Sequence, residues 1–178
     1  MSKSLGYIID AMPALLQGAA ITLMLTAFSV LLGLVGGVLL GTARLSSVKP
    51  IKLATRAYID FFRGTPLLVQ IFMIYFGVPA LTRGLGLDFR FDQFWAAVTA
   101  LSLNSAAYLA EIVRAGIQSI EKGQWEAAEA MGLNRLQAMR YVVFPQAFRR
   151  MIPPLGNEFI TLLKDTSLVA VIGYQELF

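Results

Sequence analysis

The chain has 178 residues, 57% of them hydrophobic, a mean hydropathy of +0.65, and 15 basic against 11 acidic side chains for a net charge of +4. Such a composition excludes an ordinary soluble enzyme, and so small a charge, with no basic stripe interleaved with aromatics, gives nucleic acid no footing. With neither cysteine nor histidine present, disulfides, thiolate or imidazole catalysis and the usual zinc or haem ligands are excluded as well.

About 20 apolar residues cross a bilayer, so a chain of this length has room for four spans and little besides; the lipid bilayer is its expected surroundings. Residues 11–43 carry no charge and predict a first helix over about 12–43, with Asp10 and Pro13 at its start, where an acid meets the positive helix end and a proline removes little bonding. The run begins too late and continues too far for a signal peptide. Gly33, Gly37 and Gly41 recur every four residues, so one helix face lacks side chains and a second backbone can approach it.

A second span is expected over about 57–81. Pro66 predicts a kink or restart within it, and Asp60 and Arg63, at i and i+3, are placed to face one another at the membrane edge. The third span, about 94–112, is rich in Ala, Ser, Leu and Val, side chains suited to burial between helices. The fourth, about 151–173, is weakly apolar: Pro153, Pro154, Glu158, Lys164 and Asp165 interrupt it. It spans only if protein or water shields its charged face.

Charge sets the orientation. Arg44, Lys49, Lys52, Arg56 and Arg63 outweigh Asp60 in the first connection, the second is neutral, and residues 111–150 are again net positive. The positive-inside rule places the first and third connections in the cytoplasm and the amino terminus outside. The long third connection, 113–150, is a cytoplasmic insert. It reads as one or two short helices with Trp125, Ala128, Met131, Leu136 and Met139 on apolar faces, interrupted at Gly132 and recapped by Asn134.

The spelling of that insert is more specific than its periodicity. Glu126-Ala127-Ala128, Gly132 and Pro145 resemble the EAA signature of permease subunits of ATP-binding-cassette importers. Asn104 to Tyr108, Glu111, Arg114 to Ile117, Pro145-Gln146-Ala147, Pro153 to Asn157, Lys164 to Leu168 and Phe61 to Pro66 resemble the polar amino acid branch, in the histidine, glutamine and arginine type. The resemblance covers roughly residues 15–175. It implies an all-α membrane protein with the transmembrane fold of a type I importer, a single permease domain whose insert carries a coupling helix.

In that family the coupling helix docks on a separate ATPase. Carried over, the resemblance assigns this contact to Glu126, Ala127 and Ala128, with Glu129 alongside and Gly132 turning the chain after them. No phosphate-binding GxxxxGK[ST] loop occurs, so the chain is expected to be a non-catalytic translocation subunit with no cofactor of its own. ATP and Mg would belong to the partner ATPase dimer. The other partners implied are a second permease copy, expected to be identical, and an external or periplasmic binding protein that delivers a polar amino acid through the inner membrane. The family pattern has a fifth span after the Lys164-Asp165-Thr166-Ser167-Leu168 helix, so a missing fifth span is also expected.

Two helix faces are candidates for the substrate path. Asn104, Tyr108 and Glu111 fall at i, i+4 and i+7, and Glu158, Thr161 and Asp165 are spaced by three and four. Charged groups at such depth belong in a protein interior or a water-filled cavity. An amino acid offers an ammonium for Glu158 or Asp165 and a carboxylate for a donor such as Asn104. The competing reading is a structural ion pair between Asp165 and Lys164 or an arginine of another helix. Two acids favour a basic substrate, arginine foremost with lysine and histidine next, and glutamine as runner-up. An ATP-independent channel or secondary transporter would present the same buried acids but would not need the insert.

Overall fold

The computed structural model describes residues 2–176, and among the described residues every regular element is helical. The first helix, α1, runs Ser2–Arg44. It therefore starts well before residue 12, and Pro13 lies inside it, not in its first turn. The carbonyl that Pro13 leaves unbonded belongs to the residue four earlier, just outside the apolar stretch Asp10–Arg44.

The expected second span is divided. Helix α2, Lys49–Gly64, is followed by extended backbone at Thr65 and Pro66 before α3 begins at Leu67. Pro66 cannot donate to the preceding turn and forces Thr65 out of the helical region. From there α3, Leu67–Phe72, a π-helical turn, Met73–Gly77, and α4, Val78–Gly84, form one continuous rod. The apolar stretch long enough to cross a bilayer is Leu67–Gly84, so α2 lies outside it. At the edge Asp60 pairs with Arg56, 3.2 Å away at i,i+4, and not with Arg63.

Helix α5, Gln93–Gln118, is N-capped by Asp92, whose carboxylate accepts from the backbone amides of Phe94 and Trp95. It runs six residues past the expected end. Of its apolar window 67% is buried, against 28% for α1 and 17% for Leu67–Gly84, so α5 is the central rod and the other two turn most of their apolar surface outward. Leu25, Ile71, Ala97, Leu101, Leu162 and Val169 close the core around it.

The glycine face of α1 makes this packing possible. A Cβ at Gly37 would fall 2.4 Å from Leu109 Cβ, and one at Gly41 2.8 Å from Val113 Cβ, so the α1 and α5 backbones approach closer than any side chain allows. Gly116 of α5 has the same role toward Met151, whose Cγ would lie 2.3 Å from an added Cβ.

The insert forms α6, Lys122–Ala130, and α7, Arg135–Ala138. Between them Gly132 takes φ +81°, a left-handed value open to glycine, and Asn134 closes a reciprocal capping box with Gln137. Ala128 is buried and Trp125 and Met139 pack on Ile117, Ile120, Val143 and Ala147. Met131 and Leu136, expected on the same apolar faces, are instead 82% and 77% exposed.

A π-helical turn, Met139–Val143, carries α7 into α8, Phe144–Asp165, and a 3₁₀ segment, Thr166–Ile172, completes the rod. Regular helix thus begins well before residue 151, and Pro153 and Pro154 lie inside it. Among the described residues three helices are long and apolar enough to cross a membrane, and α8 is not one of them.

Candidate functional site

A cavity of about 400 Å³ opens where α5 and α8 pass the break between α2 and α3. Asn104 and Tyr108 come from α5; Glu158, Thr161 and Asp165 from α8; Arg63, Gly64, Thr65, Pro66 and Leu67 from the break. Five of the six residues on the two candidate faces, Asn104, Tyr108, Glu158, Thr161 and Asp165, therefore share one cavity. Glu111, read onto the same face as Asn104 and Tyr108, does not line it. It is held by Arg114, whose Nε donates to Oε2 across 3.0 Å, with Arg44 at 3.9 Å. That cluster sits at the shared end of α1 and α5.

The break is stabilised by one buried amide. Gln70 Nε2 donates to Phe62 O at 2.8 Å, to Thr65 O at 3.0 Å and to Thr65 Oγ1 at 2.8 Å. It thereby bonds carbonyls that the interrupted helix leaves open. Its own oxygen accepts from Asn104 Nδ2 at 3.0 Å, and Asn104 also reaches Phe62 O at 3.3 Å. Irregular backbone at membrane depth is tolerated where protein satisfies it and it lines a cavity, and here both hold.

On the opposite wall Glu158 is half-buried and accepts a hydrogen bond from Ser105 Oγ at 3.1 Å. Asp165 has no ion pair among the described residues, and neither does Lys164. The structural Lys–Asp pair weighed from sequence is therefore not formed. Arg63 places its guanidinium 5.2 Å from the centre of the Tyr108 ring, a cation–π distance. It is the cation of this lining.

Arg63, Gln70 and Ser105 were not among the residues singled out for the path. The available signal was Pro66: a helix break beside an arginine, inside an apolar run, marks backbone that has to face a cavity.

The residues that the resemblance assigns to the ATPase contact lie elsewhere, on the insert. Glu126, Ala127 and Glu129 are exposed on α6, Ala128 is buried beneath them, and Gly132 is exposed at the turn. α5 runs from the cavity, at Asn104 and Tyr108, to the start of the insert at Gln118, and α8 runs from the end of the insert to Glu158, Thr161 and Asp165.

Residues 33–178 match the family described as binding-protein-dependent transport system inner membrane component. The chain is 45% identical over 173 residues to the arginine transport system permease protein ArtQ of Bacillus subtilis (strain 168), covering 97% of this chain and 77% of that protein. It is 45% identical over 167 residues to the glutamine transport system permease protein GlnP of Escherichia coli (strain K12), covering 94% and 74%. The L-cystine transport system permease protein TcyL of Bacillus subtilis (strain 168) is 43% identical over 169 residues, covering 94% and 71%. Among solved structures, an amino acid ABC transporter crystallised with histidines superposes with a TM-score of 0.88 at 44% identity, over 96% of this chain and 77% of that one. The inward-facing MetNI methionine ABC transporter, with a TM-score of 0.64 at 24% identity, over 90% and 73%, shares the fold. With the type I importer fold, the EAA insert and these relatives in agreement, the chain belongs to the binding-protein-dependent transport system inner membrane components, as a multi-pass permease subunit of a polar amino acid ABC importer of the inner membrane.

Proposed function

We propose that this permease conducts a basic amino acid, arginine foremost with lysine and histidine next, through the cavity between α5, α8 and the Pro66 break. The observation that carries this is that Glu158 and Asp165 line one cavity with a single arginine facing them. The two carboxylates suit a cationic side chain and ammonium, and Arg63 suits the α-carboxylate. The carboxylate donor first considered, Asn104, already gives its amide to Gln70 and Phe62, which is why Arg63 takes that place here. Names of relatives do not choose the substrate, since arginine, glutamine and cystine permeases stand at similar identity.

In this reading the amino terminus is outside and the insert is cytoplasmic. Glu126, Ala127 and Glu129 dock on a separate ATPase dimer that holds ATP and Mg, with Ala128 seating their helix on the permease and Gly132 turning the chain behind them. An external binding protein delivers the amino acid to a pair of permease copies. Movement of the ATPase is transmitted through α6 and α7 into α8, which carries Glu158 and Asp165 at its far end. The chain itself breaks no bond.

The test is Glu158→Gln in the transporter reconstituted with its ATPase and binding protein. Arginine-stimulated ATP hydrolysis should require at least several-fold more arginine for half-stimulation, with basal hydrolysis unchanged. Unchanged arginine dependence would overturn the assignment. If glutamine instead stimulates the parent transporter and arginine does not, the substrate is the neutral amide.

A further inference from the structure

A second cavity, about 920 Å³ in volume, lies at the other end of the helices and takes no part in the path. Leu45 and Ser47 bound it just beyond the end of α1, Ile117 and Gln118 at the end of α5, and Lys122, Trp125, Arg135, Leu136 and Met139 from the insert. The two membrane-length helices that flank it end at Arg44 and at Gln118, and the charged cluster of Arg44, Glu111 and Arg114 lies near those ends. The cavity therefore sits beside the charged ends of the membrane helices, on the headgroup side of the hydrocarbon.

Its lining combines three chemistries. Lys122 and Arg135 contribute two cations, and among the described residues neither has a hydrogen-bonded or ion-paired acid. Trp125 contributes a half-buried indole, the side chain that settles at membrane interfaces. Ile117, Leu136 and Met139 contribute an apolar wall, and Leu136 is 77% exposed immediately after Arg135. No acidic side chain lines the groove; Glu121, Glu126 and Glu129 stand on α6 or beside it but outside the lining.

From these observations we infer that the groove between the ends of α1 and α5 and the α6–α7 insert is a binding site for an anionic phospholipid. The phosphate lies between Lys122 and Arg135, and an acyl chain runs along Leu136, Met139 and Ile117. Basic pockets between transmembrane helices at the headgroup level take acidic lipids by this combination of charge and apolar contact. Two unpaired cations give charge selectivity that a purely apolar groove lacks. The inference rests on the proposed orientation only for the leaflet concerned, which is then the cytoplasmic one. Bound there, the lipid touches the segment that joins the membrane helices to the coupling helix, and so bears on how firmly the insert is held.

Because the chain contains no cysteine, Ser47→Cys gives the permease one thiol, on the rim of the groove. Labelled there with bimane and placed in nanodiscs, alone and assembled with the ATPase, it reports contact with brominated lipids by quenching. Brominated phosphatidylglycerol should quench at least twofold more than brominated phosphatidylcholine at equal mole fraction. The combined Lys122→Gln and Arg135→Gln change should abolish that difference while leaving the phosphatidylcholine quenching in place. Equal quenching by the two lipids in the parent, or a preference that survives the double change, would overturn the site. So would protection from both lipids in the assembled transporter, the result expected if protein fills the groove. None of these readouts requires transport, so a failure here is distinct from a failure of the arginine assignment.

Discussion

Ser105 Oγ donates to Glu158 Oε1 across 3.1 Å, and this bond joins the central helix α5 to the wall of the cavity on α8. Ser105 is fully buried, and its side chain also lies 3.1 Å from where a Cβ on Gly33 would stand. One small residue thus fills the α1 contact on one side and orients an acid of the cavity on the other.

The first prediction concerns that bond. Hydrogen bonds between membrane helices contribute about 0.6 kcal/mol on average and up to about 2 kcal/mol, so Ser105→Ala should lower the stability of the permease by about 1 kcal/mol. It should also leave Glu158 free to turn, shifting half-stimulation of ATP hydrolysis by arginine a few-fold. Thermal unfolding and a stimulation curve check the two effects separately. If neither moves, the bond does not orient Glu158.

The glycine face gives the second. Gly37→Leu and Gly41→Val place side chains where Leu109 and Val113 already stand, and overpacking of this kind costs about 1–3 kcal/mol. Gly156, in α8, has nothing within 4 Å of an added Cβ, so Gly156→Ala should leave stability unchanged or slightly higher because alanine favours helix. Melting of the three variants in one detergent compares them directly. Equal losses at all three positions would remove the argument from close packing.

Sequence made the glycine face, the Gly132 turn and the Asn134 cap legible because each depends on residues a few positions apart. It also placed Glu158, Thr161 and Asp165 on one face, and Asn104 and Tyr108 on another, from helical spacing alone. What it missed depends on partners distant in the chain. Asp60 chooses Arg56 over Arg63 because Arg63 is turned toward Tyr108, which lies on α5. Glu111 shares the spacing of Asn104 and Tyr108, yet Arg114 and Arg44 hold it away from the cavity. The length of α8 was missed for another reason. Pro153 and Pro154 read as boundaries, whereas consecutive prolines in a helix whose exposed side meets solvent or a partner leave carbonyls that find other donors.

The third prediction follows from Gln70, which is 2% exposed and bonds three oxygens of the α2–α3 break. Gln70→Leu preserves bulk but leaves Thr65 O without this donor, Phe62 O with only the longer bond from Asn104, and Asn104 without its acceptor on Gln70, a loss of about 1–3 kcal/mol for each buried group left unsatisfied. Gln70→Glu keeps an acceptor for Asn104 but loses the donor. Both should lower the melting temperature, and both should weaken substrate stimulation because Arg63 and Thr65 are carried on the same break. A Gln70→Leu protein that melts like the parent would show that water, not this amide, satisfies the break.

The fourth concerns the insert. Gly132 holds φ +81°, and a side chain with a Cβ loses about 1–2 kcal/mol in that region. No atom lies within 4 Å of an added Cβ there, so any loss from a small substitution is conformational and not steric. Gly132→Asn, which tolerates the left-handed region, should keep most coupling, and Gly132→Val should lose more. Gly132→Trp should lose the most, since its bulk falls on the exposed turn beside α6, which the proposed reading gives to the ATPase. Glu126→Lys reverses a charge on the exposed face of α6 without touching the core, so it should leave membrane insertion and melting intact while substrate-stimulated ATP hydrolysis falls at least several-fold. Transport by proteoliposomes, scored against the amount of inserted permease, separates docking from folding. Normal transport by both Gly132→Trp and Glu126→Lys would mean that α6 and its turn are not where the motor engages this chain.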